Sequence, residues 1–340
     1  MIVFGIESSC DDTAAAIIKD GQTVLSSIVS SQISVHKDFG GIVPELASRE
    51  HVDNICFVVE RCLLKANLEW DQIDAIAVTR GPGLMGALLV GMAYAKGLAY
   101  ALDIPLVGVN HLEGHIASIL LDSPRAKFPA LSLVVSGGHT SLFYLQKIGV
   151  CEEISKTGDD AAGEALDKLS KHLGLGYPGG PIIDRLAPKG NPHAIAFTIP
   201  KTSRNALDFS FSGIKTAALR YIQQNNLGPL GGLEEIPQSI LDLVASYQSA
   251  IVDQLLDRLG KALKTYDVRS IQISGGVSCN SELRRRSKEV FASHGLDVYY
   301  PQPQFTTDNA AMIAVAATAQ LAVRGADSID LTADPNLRLG

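Results

Sequence analysis

The chain is expected to fold as two α/β domains of one repeated design, and three observations lead there. At 340 residues it exceeds a single ordinary core of about 150 residues. Short β-branched runs alternate with Ala- and Leu-rich helical stretches, the order that gives α/β layers with mixed sheets. Two segments, each opening one half, also share a plan of apolar strand, polar turn and apolar strand.

The first such segment has strands over residues 2–6 and 13–18 around Glu7-Ser8-Ser9-Cys10-Asp11-Asp12. The second, residues 131–145, repeats the plan around Ser136-Gly137-Gly138-His139-Thr140. A structural hairpin turn needs only Asn-Gly, so the small and charged residues in both turns suggest a duplication whose turns face one ligand. Further strands are predicted over residues 75–79, 105–109 and 270–274. Residues 91–102 read as a helix ended by Asp103-Ile104-Pro105, and 310–322 as another. Residues 188–204, with three prolines, and 225–232 read as loops.

Hydrophobic residues at 46% and charged residues at 19% exclude a disordered or fibrous chain. Apolar runs such as 75–79 are too short to cross a membrane. Met1-Ile2-Val3-Phe4-Gly5 has no basic region before it and no cleavage site, so a cytosolic protein with no membrane partner is expected. Five cysteines, odd in number and without a C-x-x-C pair, suggest neither a disulfide framework nor a thiolate zinc site. A net charge of -7 argues against broad nucleic-acid affinity, so an RNA partner must meet a local patch or a helper protein.

His111-Leu112-Glu113-Gly114-His115 places two imidazoles four residues apart, on one face of a helix, where both reach one cation. A zinc peptidase needs Glu directly after the first His, whereas Glu113 is rotated about 200° from His111. The best remote third ligand is Asp308, just before the apolar helix 310–322; its structural alternative is a plain helix cap. Two histidines and a carboxylate suit one divalent metal, iron(II) preferred and zinc also suited.

Gly81-Pro82-Gly83, Ser136-Gly137-Gly138, Gly176-Tyr177-Pro178-Gly179-Gly180 and Ser274-Gly275-Gly276 are glycine-bearing turns, and three of them follow strands. Such turns free backbone N–H groups for phosphate, and together they imply a ligand, although no P-loop motif is present. Asp11, Asp12, Asp167 and Asp184 are then candidate carboxylates for metal, ribose or proton transfer. Surface solvation is the plainer reading for most Asp residues, and less so for Asp11 and Asp12 between two buried strands.

The stretch KGLAYALDIPLVGVNHLEGHI, residues 96–116, resembles the signature of the TsaD family, the tRNA N6-adenosine threonylcarbamoyltransferases. GIESSCDDTAAAI, GGIVPELASREH, RGPGLMGALLVG, LVVSGGHTSL, DDAAGEALDKLSKHLGLGYPGGPIID, DFSFSGIKTA, ISGGVSCNSELR and TDNAAMIA agree, so the resemblance spans nearly the whole chain. It implies the duplicated actin-like, Hsp70-like and sugar-kinase-like (ribonuclease H-like) core with a nucleotide cleft between two domains. These are expected at residues 1–110 with 305–340 and at 111–304, the second carrying most nucleotide contacts. It places metal ligands at His111, His115 and Asp308, and nucleotide contacts at Val134, Val135, Ser136, Gly137, Gly138, Asp167, Gly180, Asp184 and Asn280. The family usually has Thr at position 8 and Glu at position 12; the shorter Asp12 moves the expected acid/base role to Asp11, with Asp12 as its companion.

The implied reaction moves threonylcarbamoyl from threonylcarbamoyl-AMP to the N6 amine of the adenosine 3′ of the anticodon, position 37, in tRNAs reading codons that begin with adenine. ATP or AMP would occupy the same cleft. The resemblance also implies a TsaB-like homologue and a TsaE-like ATPase as partners. An aromatic amine is a poor nucleophile, so positioning and charge stabilisation should dominate over covalent catalysis. The run Arg284-Arg285-Arg286 could touch RNA, though a solvated helix face is the commoner meaning of such a run. Two rival functions are a metal-dependent small-molecule kinase or ATPase of the same fold and a nucleotide-binding assembly subunit.

Overall fold

The computed structural model describes residues 1–121, 126–198, 206–230 and 235–339. In chain order its first half contains β1 (Ile2–Glu7), β2 (Asp12–Lys19), β3 (Thr23–Ser31), the one-turn α1 (Ile33–His36), α2 (Pro44–Ala66), β4 (Ala75–Gly81), α3 (Met85–Leu102), β5 (Leu106–Asn110) and α4 (His111–Ala117). Next come β6 (Ala130–Val135), β7 (Thr140–Lys147), β8 (Val150–Lys156), α5 (Ala162–Leu173), α6 (Gly179–Leu186), α7 (Ser212–Gln224) and α8 (Gln238–Ala262). The chain then forms β9 (Ser270–Ser274), α9 (Ser281–Ala292), β10 (Asp297–Tyr299) and α10 (Ala310–Arg324).

One sheet runs β3-β2-β1-β4-β5 and the other β8-β7-β6-β9-β10. Counted from the start of each half, both read third, second, first, fourth, fifth, which is the duplication that the paired hairpins suggest. In the first sheet β1 lies antiparallel to β2, from Ile2 opposite Lys19 to Glu7 opposite Ala14, and parallel to β4. In the second, β6 and β9 are parallel, with Leu131 beside Ile271.

The chain forms two compact units, Met1–Lys127 with Leu145–Glu152 and Tyr299–Gly340, and Phe128–Tyr144 with Glu153–Val298. The first runs past the expected break after residue 110. The reason is apolar: Ala117, Leu120 and Leu121 pack with α10 in one core.

The first sheet is buried on both faces, so its strands read as continuous apolar runs. Val3, Ala14, Ala16, Ala77 and Val109 face α10. Their strand neighbours Phe4, Ile6, Ala15, Ile17 and Val78 face α2 and α3, as period-two alternation requires. Helix α3 starts earlier than the predicted residue 91, and its 18 residues are long and apolar enough to cross a membrane. That departs from the expectation of short apolar runs only. Its Met92, Ala95 and Ala99 are core residues packed with Ile55, Val58 and Val59 of α2.

In the second unit Leu166, Leu169 and Leu173 recur on the buried side of α5 and make it amphipathic. Gly174, left-handed at φ 67°, ends that helix. The predicted loop 188–204 begins within a 3-10 turn, Ala187–Lys189, and continues through a turn closed by Ala194 N–H to the Asn191 carbonyl at 3.2 Å; residues 199–204 lie outside the described residues. Residues 225–230 are neither helix nor strand, and 231–232 again lie outside them.

Candidate metal centre and nucleotide-binding turns

Strand β5 ends on Asn110, whose side-chain oxygen accepts from Leu112 N–H at 2.9 Å and Glu113 N–H at 3.4 Å and so starts α4. His111 and His115 therefore sit one turn apart, both buried, with ring centroids 4.7 Å apart. The turn leading into α10 supplies the third group, Asp308. The N-cap of α10 is Asn309, accepting from Met312 N–H at 2.9 Å, so the capping role that could have explained Asp308 belongs to its neighbour. Asp308 Oδ1 lies 3.6 Å from His111 Nε2 and 3.3 Å from His115 Nε2. Donor atoms of the three residues fall within 4.8 Å of one another.

Bonds of about 2.1 Å to a tetrahedral ion put its ligands about 3.4 Å apart, so this cluster has the size of a metal site. The chemistry agrees, because His115 Nδ1 is buried without a hydrogen bond and Nε2 faces only the Asp308 carboxylate, a costly state unless a cation binds there. Glu113 is drawn away: its carboxylate accepts from Gln320 Nε2 of α10 at 2.6 Å. The rejection of peptidase chemistry follows from that direction.

Behind His111 is a carboxylate that the sequence reading passed over. Glu7, the last residue of β1, is fully buried and lies 3.0 Å from His111 Nδ1. Burial would raise its carboxyl, but the charge of His111 and the hydrogen bond to it hold it below the usual range. Burial likewise disfavours the His111 imidazolium; Asp308 and Glu7 outweigh it and raise that group to about 9. Burial keeps His115 below the ordinary histidine value. A charged residue ending an otherwise apolar, buried strand was the signal for Glu7.

Asp11 and Asp12 lie in the same unit. Burial, then the charge of Asp308, raises both, and Asp12 reaches about 7 with Asp11 adding to the effect. Asp12 Oδ1 is buried without a hydrogen bond. The turn is clamped from α2 by His51, whose Nε2 is 3.0 Å from the Cys10 carbonyl and whose Nδ1 is 2.7 Å from Thr13 Oγ1.

The residues expected to bind nucleotide are connected within the second unit. Val134 and Val135 end β6, and Gly137 and Gly138 are exposed in the turn after it. Gly163 N–H of α5 donates to the Ser136 carbonyl at 3.2 Å. Asp167, one helical turn on, accepts from Gly179 N–H at 2.6 Å and Gly180 N–H at 3.3 Å at the start of α6. Asp184 accepts from Ser281 N–H at 3.0 Å at the start of α9. Asn280 caps α9 through Leu283 N–H at 2.9 Å and gives its own amide to Gln248 Oε1 at 2.8 Å. Gly275 is needed as glycine, with φ 88° and the Val135 carbonyl 2.4 Å from where a Cβ would stand. The expected side chains are thus already joined to helix starts, and the exposed Gly137 and Gly138 leave backbone approachable.

The arginine run is paired with neighbouring groups, Arg285 at the surface. Arg285 pairs with Glu289 at 2.9 Å, Arg286 with Asp253 and Glu282, and Arg284 Nε donates to the Ser278 carbonyl.

A family model described as TsaD, tRNA N6-adenosine threonylcarbamoyltransferase, matches residues 23–315. The chain belongs to this family. The tRNA N6-adenosine threonylcarbamoyltransferase of Clostridium perfringens (strain ATCC 13124) is 50% identical over 339 residues, covering 100% of this chain and 98% of that protein. The one from Geobacter sp. (strain M21) is 48% identical over 335 residues, covering 98% and 96%. Among solved structures, full-length HypF in its phosphate- and nucleotide-bound form aligns with TM-score 0.61 at 14% identity, over 96% of this chain and 56% of its own. Component A of the Acidaminococcus fermentans (R)-2-hydroxyglutaryl-CoA dehydratase aligns with TM-score 0.55 at 12% identity, over 95% and 99%. These likenesses concern the fold, which is the duplicated actin-like, sugar-kinase-like core.

Proposed function

We infer that this chain transfers a threonylcarbamoyl group to the N6 amine of a tRNA adenosine. The observation that carries the inference is 50% identity, over the full length, to relatives bearing that name. As finer points, the donor is threonylcarbamoyl-AMP and the acceptor is the adenosine 3′ of the anticodon, position 37, in tRNAs that read codons beginning with adenine.

In this reaction the N6 amine attacks the carbamoyl carbon, a C–N bond forms, the bond from that carbon to the phosphate oxygen breaks, and AMP leaves. The surplus amine proton needs an acceptor. Asp12 is favoured because its Oδ1 is buried without a hydrogen bond and burial raises its carboxyl toward proton uptake. Asp11, favoured from the sequence, becomes its companion, raising Asp12 through like charge. The exposed backbone of Gly137 and Gly138 offers N–H groups for the phosphate.

His111, His115 and Asp308 would hold iron(II) or zinc, which when bound supplies positive charge for the threonyl carboxylate or the carbonyl oxygen. Two buried imidazoles facing one carboxylate are a donor set that a magnesium-dependent kinase does not use, so the kinase reading is not favoured. Partners complete the picture. The neighbouring helices α2 and α3 expose Val52, Phe57 and Leu64, and Met85, Leu89 and Tyr100, an apolar surface suited to a TsaB-like homologue. A TsaE-like ATPase, and the cytosol as the place where tRNA is met, belong to the same proposal.

The test is reconstitution with TsaB- and TsaE-like proteins and labelled threonine carried by threonylcarbamoyl-AMP. Label in tRNA supports the assignment; phosphate transfer from ATP to a small metabolite, without label in tRNA, would favour the kinase.

A further inference from the structure

Glu7 stands where three groups converge on two carboxylate oxygens. Oε1 accepts from Ser9 N–H; Oε2 accepts from Thr79 Oγ1 at 2.7 Å and faces His111 Nδ1 at 3.0 Å. All of this is buried: Glu7, Ser9 and Thr79 are at most 1% exposed and His111 is 4% exposed. Thr79 reaches Glu7 because β1 and β4 run parallel with Ile6 beside Val78, which sets the next residues of the two strands side by side.

We propose that Glu7 is a positioning residue that fixes His111 as an Nε2 ligand. The reasoning is a count of donors and acceptors. A peptide N–H can only donate, so Ser9 requires an acceptor at Oε1. At Oε2, Thr79 donates its hydroxyl hydrogen, and an imidazole this close must present a proton on Nδ1 rather than a lone pair. Only an ionised carboxylate accepts at both oxygens. With Nδ1 committed to Glu7, Nε2 is the nitrogen left for a metal once its own proton is displaced, and it lies 3.6 Å from Asp308 Oδ1. Ser9 Oγ, 3.1 Å from the same Nδ1, adds a second contact that holds the ring plane.

The two histidines are therefore unequal. His115 Nδ1 is buried without any hydrogen bond, so nothing comparable fixes its tautomer. His111 is the anchored ligand and His115 the adaptable one. A carboxylate behind a metal-bound imidazole orients the ring and raises its basicity, and its loss typically weakens metal binding about 10- to 100-fold.

The inference rests on reading His111, His115 and Asp308 as a metal site, and the experiment separates the two claims. Zinc(II) alone is titrated into the full chain, stripped beforehand with chelator, and into its Glu7→Gln variant, with competition by a chromophoric chelator as the readout. Gln keeps the shape but turns an NH2 group toward either Ser9 N–H or the Thr79 and His111 side. We expect stoichiometric zinc in the parent and about 10- to 100-fold weaker binding, with faster release, in Glu7→Gln. Equal affinity in both, with the variant folded, overturns the role of Glu7 while leaving the site. Failure of the parent to bind zinc overturns the site and the inference with it. Should Glu7→Gln not fold, long-range proton–nitrogen NMR on the zinc-loaded parent decides alone: protonated Nδ1 and zinc-shifted Nε2 in His111 support the proposal, and zinc on Nδ1 overturns it.

Discussion

Gly114 packs so closely on Ile313 that a Cβ added to it would stand 2.8 Å from Ile313 Cδ1. Gly114 lies between the two histidines of α4, and Ile313 is in the first turn of α10, just after Asp308. The absence of a side chain at 114 therefore sets how near the histidines and the aspartate come.

Gly114→Ala should accordingly separate α4 from α10. Helix propensity favours Ala by about 1 kcal/mol, and overpacking costs about 1–3 kcal/mol, so the melting temperature should change little. Metal affinity should fall about tenfold, and Ile313→Val in the same chain should restore it. Calorimetry and metal titration of the single and double variants check this; unchanged affinity in Gly114→Ala would mean that the helices adjust freely.

Metal binding should release protons. In the metal-free chain burial opposes the His111 imidazolium, but Asp308 and Glu7 hold it up to about 9, so an incoming ion must displace a proton at neutral pH. Affinity should rise close to tenfold per pH unit from pH 6 to 8 and level off above about 9. The same group gives the metal-free protein an opposite trend. Its folded value lies above the ordinary histidine value of 6.5, so its contribution to stability is complete below 6.5 and is lost as pH rises through about 9. Chelator competition and thermal melting across this range test both signs.

Asp12→Asn should lower single-turnover transfer by about 100- to 10,000-fold, the contribution of a positioned base, and should spare adenylate binding. Asp11→Asn should do less, and by removing a like charge it should shift the pH dependence of transfer to lower values. Normal transfer by Asp12→Asn, with Asp11→Asn inactive, would return the base to Asp11.

Asn280→Ala should affect fold and ligand together. It removes the cap on Leu283 N–H and the bond to Gln248, costing about 0.5–2 kcal/mol for the cap, and it should weaken AMP binding by disturbing the start of α9. Titration with AMP beside thermal melting separates the two effects; full affinity in a destabilised variant would assign Asn280 to structure alone.

These particulars show how far the sequence could be read. The histidine pair was legible because its ligands share one helix, and Asp308 because a polar cluster preceded an apolar helix. The repeated strand–turn–strand plan foreshadowed the two sheets of equal order. Glu7 was not legible, because its partners Thr79 and His111 come from other strands and helices far along the chain. Strand β3 escaped because Ser26, Ser27, Ser30 and Ser31 dilute its apolar pattern. Asp167, Asp184 and Asn280 could be named as candidate ligand contacts, but their use as helix-start acceptors was not legible, because it depends on α5, α6 and α9 meeting in space.

The most direct measurement follows AMP and modified nucleoside in one reaction, with the chain, its partner proteins, preformed threonylcarbamoyl-AMP and tRNA. The account predicts one AMP released for each threonylcarbamoyladenosine found by mass spectrometry of the digested tRNA. AMP release without modified adenosine, under conditions in which tRNA is bound, would contradict it.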